Sequence, residues 1–249
     1  MNIVIDFGNT RAKVGIIENQ GLKKVVHYET GQINTEDFIS HLRSLSPSAI
    51  CYLNVRPVES EILDYFSACK SQIIHFDHTF KLPFSVHYEA PEKLGIDRLA
   101  GVVGGHSLFP ENDFLVIQSG TCITYDLFLK DKGYMGGAIS PGVHIRNKSM
   151  NTFTHQLPLV DTESVECTEI IAKNTNDSLL SGILNGTLFE MEGFIEAAHK
   201  QSGNLNIILS GGNTLYFAKK IKRQIFANSN ITLIGLKEII KFNEQTKKS

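Results

Sequence analysis

The stretch Ile3–Ile17, "IVIDFGNTRAKVGII", decides how the rest of the chain is read. Apolar, mostly β-branched residues run up to a carboxylate at Asp6, turn through Gly8-Asn9-Thr10 and resume at Val14. Such residues favour strands, and Gly-Asn suits a tight turn because both residues tolerate positive φ. A hairpin explains the turn. It does not explain Asp6 and Thr10 on either side of it, or Lys13 one step into the return strand. Successive backbone amides in a turn of this kind can converge on phosphate oxygens. Thr10 would add a hydroxyl and Lys13 a point charge. Asp6 is badly placed against bare phosphate but well placed for a magnesium ion held through water. The plain alternative is a hairpin with a capping Asp.

An echo lies in the second half. "LVIQSGTCITYDLFL", Leu115–Leu129, repeats the pattern of apolar strand, glycine- and threonine-bearing turn, and second apolar strand. Gly8 and Gly120 stand 112 residues apart in a chain of 249, close to half its length. Two copies of one hairpin-led α/β unit are therefore expected. The join falls near Phe109–Phe114, "FPENDF", giving domains 1–112 and 113–249. Between the hairpins, "INTEDFISHLRSL" reads as a helix capped by Asn34 or Thr35, with Phe38, Leu42 and Leu45 on one face. "SAICYLNV" and "QIIHF" read as strands flanking a helix at "ESEILDYFSACK". The second half adds a glycine-rich "GYMGGAISPG", a helix from about Leu179 to Lys200, and a buried strand "NIILSGGNT" entering a glycine turn. On that helix Leu188, Met191, Ile195 and Ala198 share an inner face. Strands alternating with helices imply mixed sheets flanked by helices, repeated twice.

Composition excludes several classes. A net charge of −2 with 42% hydrophobic and 20% charged residues suits a globular protein and gives no electrostatic case for nucleic acid or an anionic membrane. The basic cluster from Lys237 to Lys248 reads as a solvated tail. Four scattered cysteines (Cys51, Cys69, Cys122, Cys167) suit reduced, buried thiols better than disulfides or zinc. No leader pattern opens the chain and no apolar run reaches spanning length, so a cytoplasmic location is expected.

Three further segments carry chemistry. Ser119-Gly120-Thr121 offers a second phosphate cradle, and Ser210–Thr214, "SGGNT", a third glycine turn opening a helix. In "YEAPEKLGIDRLAG", Gly95-Ile96-Asp97-Arg98 opens an apolar helix. Asp97 could accept a hydroxyl proton there and Arg98 could bind a carboxylate. On the plain reading Asp97 caps the helix and Arg98 lies on the surface. His75, His78 and His87 have no partner spacing that marks a metal cluster, and Phe114, Tyr125 and Phe128 read as core.

The ordered set of Asp-x-Gly-Asn-Thr, Tyr-xx-Pro-xxx-Gly-x-Asp-Arg, Gly-Thr and Gly136-Gly137-Ala138-Ile139-Ser140-Pro141-Gly142 resembles the type III pantothenate kinases. "NTNDSLLSGILNG" and "SGGN" extend the match over nearly the whole chain. The resemblance implies duplicated ribonuclease-H-like domains of the actin, hexokinase and Hsp70 superfamily. It implies ATP-dependent phosphorylation of pantothenate, the first step toward coenzyme A, by a homodimer with its substrate site near the subunit interface. On this resemblance Asp6, Phe7, Gly8, Asn9, Thr10, Arg11, Ala12 and Lys13 bind the ATP phosphates, with Asp6 near Mg²⁺, and Thr121 contacts ATP from the second domain. Tyr88, Gly95, Ile96, Asp97, Arg98 and Thr175 line the pantothenate pocket, and Asp97 is the general base. One departure stands out. Where the family has an aspartate that holds potassium or ammonium, this chain has Gln118, whose amide oxygen lacks the charge; Asp126 lies too far along the hairpin to replace it. The alternatives are another small-molecule kinase of the superfamily, or a nucleotide-binding regulatory or scaffold protein of the same fold. Intact Asp6, Lys13, Asp97 and Arg98 argue for an enzyme.

Overall fold

The computed structural model describes residues 1–165 and 168–246. Two five-stranded mixed sheets share one topology. In the first unit β1 (Asn2–Phe7), β2 (Arg11–Glu18) and β3 (Gly21–Glu29) form an antiparallel meander. Strands β4 (Ala49–Asn54) and β5 (Gln72–His75) extend it in parallel beyond β1, giving the order β3-β2-β1-β4-β5. In the second unit β6 (Asp113–Ser119), β7 (Cys122–Leu129) and β8 (Gly133–Pro141) repeat the meander. Strands β9 (Leu205–Gly211) and β10 (Phe226–Ala227) complete the order β10-β9-β6-β7-β8. The repeat expected from Gly8 and Gly120 is therefore a repeat of whole sheets.

Register explains which side chains of the opening hairpin meet the core. Ile3, Ile5 and Phe7 lie opposite Ile16, Val14 and Ala12. Ile5, Phe7, Ala12 and Val14 pack with Phe38 and Leu42 of α1 (Thr35–Leu45) and with Ile62 and Phe66 of α2 (Ser60–Ala68). Because strand side chains alternate, Val4, Asp6 and Lys13 point to the other face. The two remaining helices of this unit, α3 (Ile96–Leu108) and α8 (Ile231–Thr246), lie on that face, where Leu233 reaches Gly15. Helix α1 starts where expected: Asn34 Oδ1 accepts from the N–H groups of Glu36 (3.1 Å) and Asp37 (3.2 Å).

The expected division at 112/113 differs from the observed one. The first unit is Met1–Pro110 together with the segment from Asn230, and the second is Glu111–Ser229. The chain end thus returns to the first unit, and Lys237 and Lys241 sit on helix α8, each paired with Glu238 (2.8 and 3.0 Å), rather than on a solvated tail. Lys247 and Lys248 lie outside the described residues. Burial is the physical reason: Leu233, Leu236 and Ile239 are fully buried, each stabilising by roughly 1.5–3 kcal/mol. The helices α3 and α8 cross at backbone contact. A Cβ on Gly104 would lie 2.4 Å from the Ile231 carbonyl oxygen, and one on Gly235 would lie 1.9 Å from that of Ala100.

The second unit's core joins Leu115, Ile117, Ile123 and Tyr125 to Met191, Ile195 and Ala198 of α6 (Gly186–Ser202). Helices α4 (Val143–Phe153) and α5 (Thr175–Leu180) precede α6, and a short α7 (Thr214–Ala218) follows β9. The glycine-rich stretch is mostly edge strand β8. The expected Leu179–Lys200 helix is instead α5, a π-helical turn at Ser181–Asn185, and α6. Cys51 is buried and its thiol pKa is pushed up by that burial, whereas Cys122 is exposed, contrary to expectation; Cys167 lies outside the described residues. Among the described residues no helix is long and apolar enough to cross a membrane.

Candidate active site

The first unit's site is built at the carboxyl end of β1. Asp6 sits directly opposite Lys13, so the two side chains share one face of the sheet. Asp6 is only 9% exposed, and its Oδ1 is buried without a hydrogen-bond partner. Burial pushes its pKa from the ordinary 3.8 up to about 6; Lys13 draws it back down and the charge of Asp97 adds to the rise. A buried carboxylate oxygen with no protein donor is a costly group to keep unless something else satisfies it. That is the character of a cation ligand. Among the described residues no cluster of three or more His, Cys, Asp or Glu side chains forms a metal cage. Magnesium is commonly held by one or two carboxylates plus substrate phosphates and water, so a single Asp6 fits that ion.

The turn after β1 is braced rather than loose. The Gly8 N–H donates to the Arg11 carbonyl (3.1 Å), and a Cβ on Gly8 would lie 2.8 Å from that oxygen. Thr30, directly after β3, grips the turn twice: its N–H donates to Thr10 O (2.9 Å) and its Oγ1 to Gly8 O (3.1 Å). Asn9 and Thr10 are exposed at the tip. Arg11 is ion-paired with Glu29 at 2.6 Å along the neighbouring strand. Phe7 and Ala12 are fully buried in the core and pair with each other in the sheet, so their part is to place the turn between them.

Helix α3 brings the second carboxylate. Gly95 is its N-cap position, and a Cβ there would lie 2.8 Å from Asp97 Oδ1. Glycine therefore makes room for the carboxyl group to fold back over the helix start. Asp97 Oδ1 accepts from the Arg98 N–H at 2.9 Å. Burial raises the Asp97 pKa, while that hydrogen bond and the Arg98 charge oppose the rise. Ile96 is 8% exposed and Arg98 only 4%, so Arg98 is a buried cation and not a surface residue. Tyr88 is half-buried on the segment leading to the 3₁₀ turn Pro91–Lys93.

In the second unit, three glycine signals converge on one turn. The Gly120 N–H donates to Cys122 O (3.0 Å), and the Gly142 N–H donates to Thr121 O (3.0 Å). A Cβ on Gly142 would sit 2.2 Å from Gly120 O. A Cβ on Gly211, at φ +98°, would sit 2.2 Å from Ser119 O. The segments Gly136–Gly142 and Ser210–Thr214 therefore wall the Ser119–Thr121 turn with backbone. The late glycine turn opens only the five-residue α7, and its visible job is this packing. Thr121 is exposed at the tip. Gln118 is half-buried, opposite Thr124 and Ser210. Asp126 is fully buried and accepts from Tyr134 Oη at 2.8 Å. Thr175 is exposed as the first residue of α5, whose N-cap is Asn174.

A family model for type III pantothenate kinase matches residues 2–197. A relative from Cytophaga hutchinsonii is 37% identical over 246 residues, covering 98% of this chain and 100% of the relative. One from Christiangramia forsetii is 38% identical over 248 residues, covering 98% and 99%. Both are named type III pantothenate kinase. The chain belongs to the type III pantothenate kinase family. Solved structures agree on fold. A Baf family protein from Campylobacter jejuni superposes with a TM-score of 0.64 at 22% identity, covering 98% of this chain and 99% of that one. The ROK hexokinase from Thermus thermophilus gives 0.53 at 12% identity, covering 95% and 97%. Hence the fold is that of the sugar-kinase and actin-like group.

For a kinase of this family, the structure brings Asp6, Lys13 and Asp97 into one electrostatic group within the first unit. Thr121 and Thr175 belong to the second unit and are exposed there. Sequence reasoning missed Thr30, which braces the first turn from two strands away. Its signal, a Thr opening a short turn after a mixed strand, is too common to stand out. His75 Nε2 donates to Asn54 Oδ1 (2.9 Å), and its ring stacks on Tyr52 (4.6 Å).

Proposed function

We propose that this protein transfers the γ-phosphoryl group of ATP to the primary hydroxyl of pantothenate, giving 4'-phosphopantothenate for coenzyme A synthesis. The observation that carries the reading is the electrostatic grouping of Asp6, Lys13 and Asp97 at the end of β1, in a chain of this family. The exposed Asn9–Thr10 tip of the first turn and Lys13 hold the phosphate chain, and Thr121 is a further proposed ATP contact. Asp6 would hold Mg²⁺, which supplies neutralisation of phosphate charge. Arg98, Tyr88 and Thr175 fix pantothenate through its carboxylate and amides.

Asp97 takes the hydroxyl proton as that oxygen bonds to the γ-phosphorus, and the bond from phosphorus to the bridging oxygen breaks to release ADP. A carboxylate raised by burial is a stronger base than a solvated one, and its position at the helix start keeps it oriented by the Arg98 N–H. In phosphoryl transfer the protein mostly positions groups and stabilises charge, so Asp6 and Lys13 matter as much as the base.

The chain is further proposed to act as a homodimer in the cytoplasm. The family resemblance supports this, as do exposed apolar side chains such as Phe153 and Ile171 on the second unit. At the position where the family uses a carboxylate for a monovalent cation, Gln118 offers a neutral oxygen. Exchanging Na⁺ for K⁺ or NH₄⁺ is therefore expected to change turnover little, and strong activation by potassium would show that the amide suffices.

The deciding assay is ADP release with and without pantothenate at saturating Mg·ATP, across that salt series. ADP formation that requires pantothenate is expected. Nucleotide binding with no pantothenate-dependent ADP would instead favour a regulatory protein of the same fold.

A further inference from the structure

Helix α5 does not run into α6 as a regular helix. Ser181–Asn185 wind as a π-helical turn, and the Gly186 N–H reaches back to Ser181 O as well as Ile183 O. Such turns carry an extra residue, which rotates everything on the N-terminal side by about 100° relative to a continuous α-helix. They are uncommon and concentrate where function needs them. Here the offset presents two polar side chains to the incoming strap. Ser181, 7% exposed, donates its Oγ to Ile170 O at 2.8 Å. Asn185 Nδ2 donates to Ser181 Oγ (3.1 Å) and to Glu169 O (3.4 Å).

These bonds close a loop whose far end carries Thr175. At that end Asn174 accepts from the Asp177 N–H (3.0 Å) and donates Nδ2 to Asp177 Oδ2 (2.6 Å), which sets the start of α5. Within the single chain apolar packing does little to place Glu169–Ile171, where Ile170 is 63% exposed and Ile171 82%, whereas α5 beyond Thr175 is anchored by buried Leu179. Hydrogen bonds from Ser181 and Asn185 tie the strap's Glu169 and Ile170 carbonyls to the π turn.

We infer that Ser181 and Asn185 are positioning residues for the acceptor substrate, holding the Glu169–Thr175 strap so that Thr175 meets pantothenate. They act through Thr175 without touching substrate. The inference rests on the reading that places Thr175 in the pantothenate site.

The test measures kcat and both KM values for Thr175→Ala, Ser181→Ala, the near-isosteric Asn185→Asp, and the Thr175→Ala/Asn185→Asp double variant, with a thermal melt of each. Asn185→Asp keeps size and acceptor while removing both N–H donations. Ser181→Ala and Asn185→Asp are expected to raise the pantothenate KM about five- to tenfold, the effect of one hydrogen bond. The kcat and the KM for ATP should stay within about twofold. The double variant should be no worse than Thr175→Ala alone, because both changes act on one contact. If Thr175→Ala raises the pantothenate KM and the other two do not, the positioning role is overturned while the Thr175 reading stands. Additive effects, or losses spread equally over kcat and both KM values, would also overturn it. An unchanged pantothenate KM in Thr175→Ala would instead remove the reading of Thr175, and the inference with it.

Discussion

At the scale of single residues, Asp6 shows a functional group kept against the interest of stability. Its pKa rises from 3.8 to about 6 because folding buries it. The folded state then holds the proton more tightly than the unfolded chain. That contribution is fully present below about pH 4 and is lost as pH rises through about 6. At neutral pH the ionised carboxylate opposes folding by roughly 3 kcal/mol. Asp6→Asn is therefore expected to raise the unfolding free energy at pH 7 by up to about that amount while abolishing turnover, checked by denaturant titration beside the kinase assay. The gain should shrink toward pH 4, and a variant less stable than the parent at pH 7 would contradict this account of Asp6. The wild-type kcat/KM should correspondingly fall as pH is lowered through about 6. Much of this site was legible in the sequence, because Asp6, Lys13, Asp97 and Arg98 sit in recognisable local patterns. Their meeting was not. Asp6 and Asp97 are 91 positions apart, and no local pattern tells which strand end a later helix will approach. The burial of Arg98 was hidden for the same reason.

At the scale of elements, both hairpin turns are shaped by what backs them. Thr30 ties the first, and Gly142 and Gly211 wall the second. Gly142→Ala places a methyl group 2.2 Å from the Gly120 carbonyl oxygen, so the turn carrying Thr121 must shift. The expected outcome is a loss of roughly 1–3 kcal/mol in stability and a raised KM for ATP with the pantothenate KM little changed. An unaltered KM for ATP would detach this turn from the nucleotide. Two strands that sequence reading missed were hidden for different reasons. β3, "GLKKVVHYE", is an edge strand with exposed Lys23, Lys24 and His27, so its hydrophobic alternation is faint. β8 was masked by its glycines, two of which, Gly133 and Gly136, have positive φ. The π turn left no signal either, since its extra residue shifts the apolar phase of a helix that still reads as helical.

At the scale of the whole molecule, the chain is two units of one design, and the C-terminal segment belongs to the first. Charge counting misled the reading of that segment: its lysines drew attention, whereas Ile231, Leu233, Leu236 and Ile239 set its place. Because α3 carries Asp97 at one end and meets α8 at Gly104 and Gly235, the end of the chain supports the start of the site. Gly235→Ala is expected to destabilise the protein by roughly 1–3 kcal/mol, read as a lowered midpoint in thermal or denaturant unfolding, since its methyl group has only backbone to push against. A midpoint equal to that of the parent would show that the two helices can part at no cost. The measurement that bears most directly on the account is single-turnover phosphoryl transfer by Asp97→Asn, with ATP affinity determined on the same sample. A rate lowered about a hundredfold to ten-thousandfold at unchanged nucleotide affinity is predicted; transfer at the parent rate with chemistry limiting would contradict it.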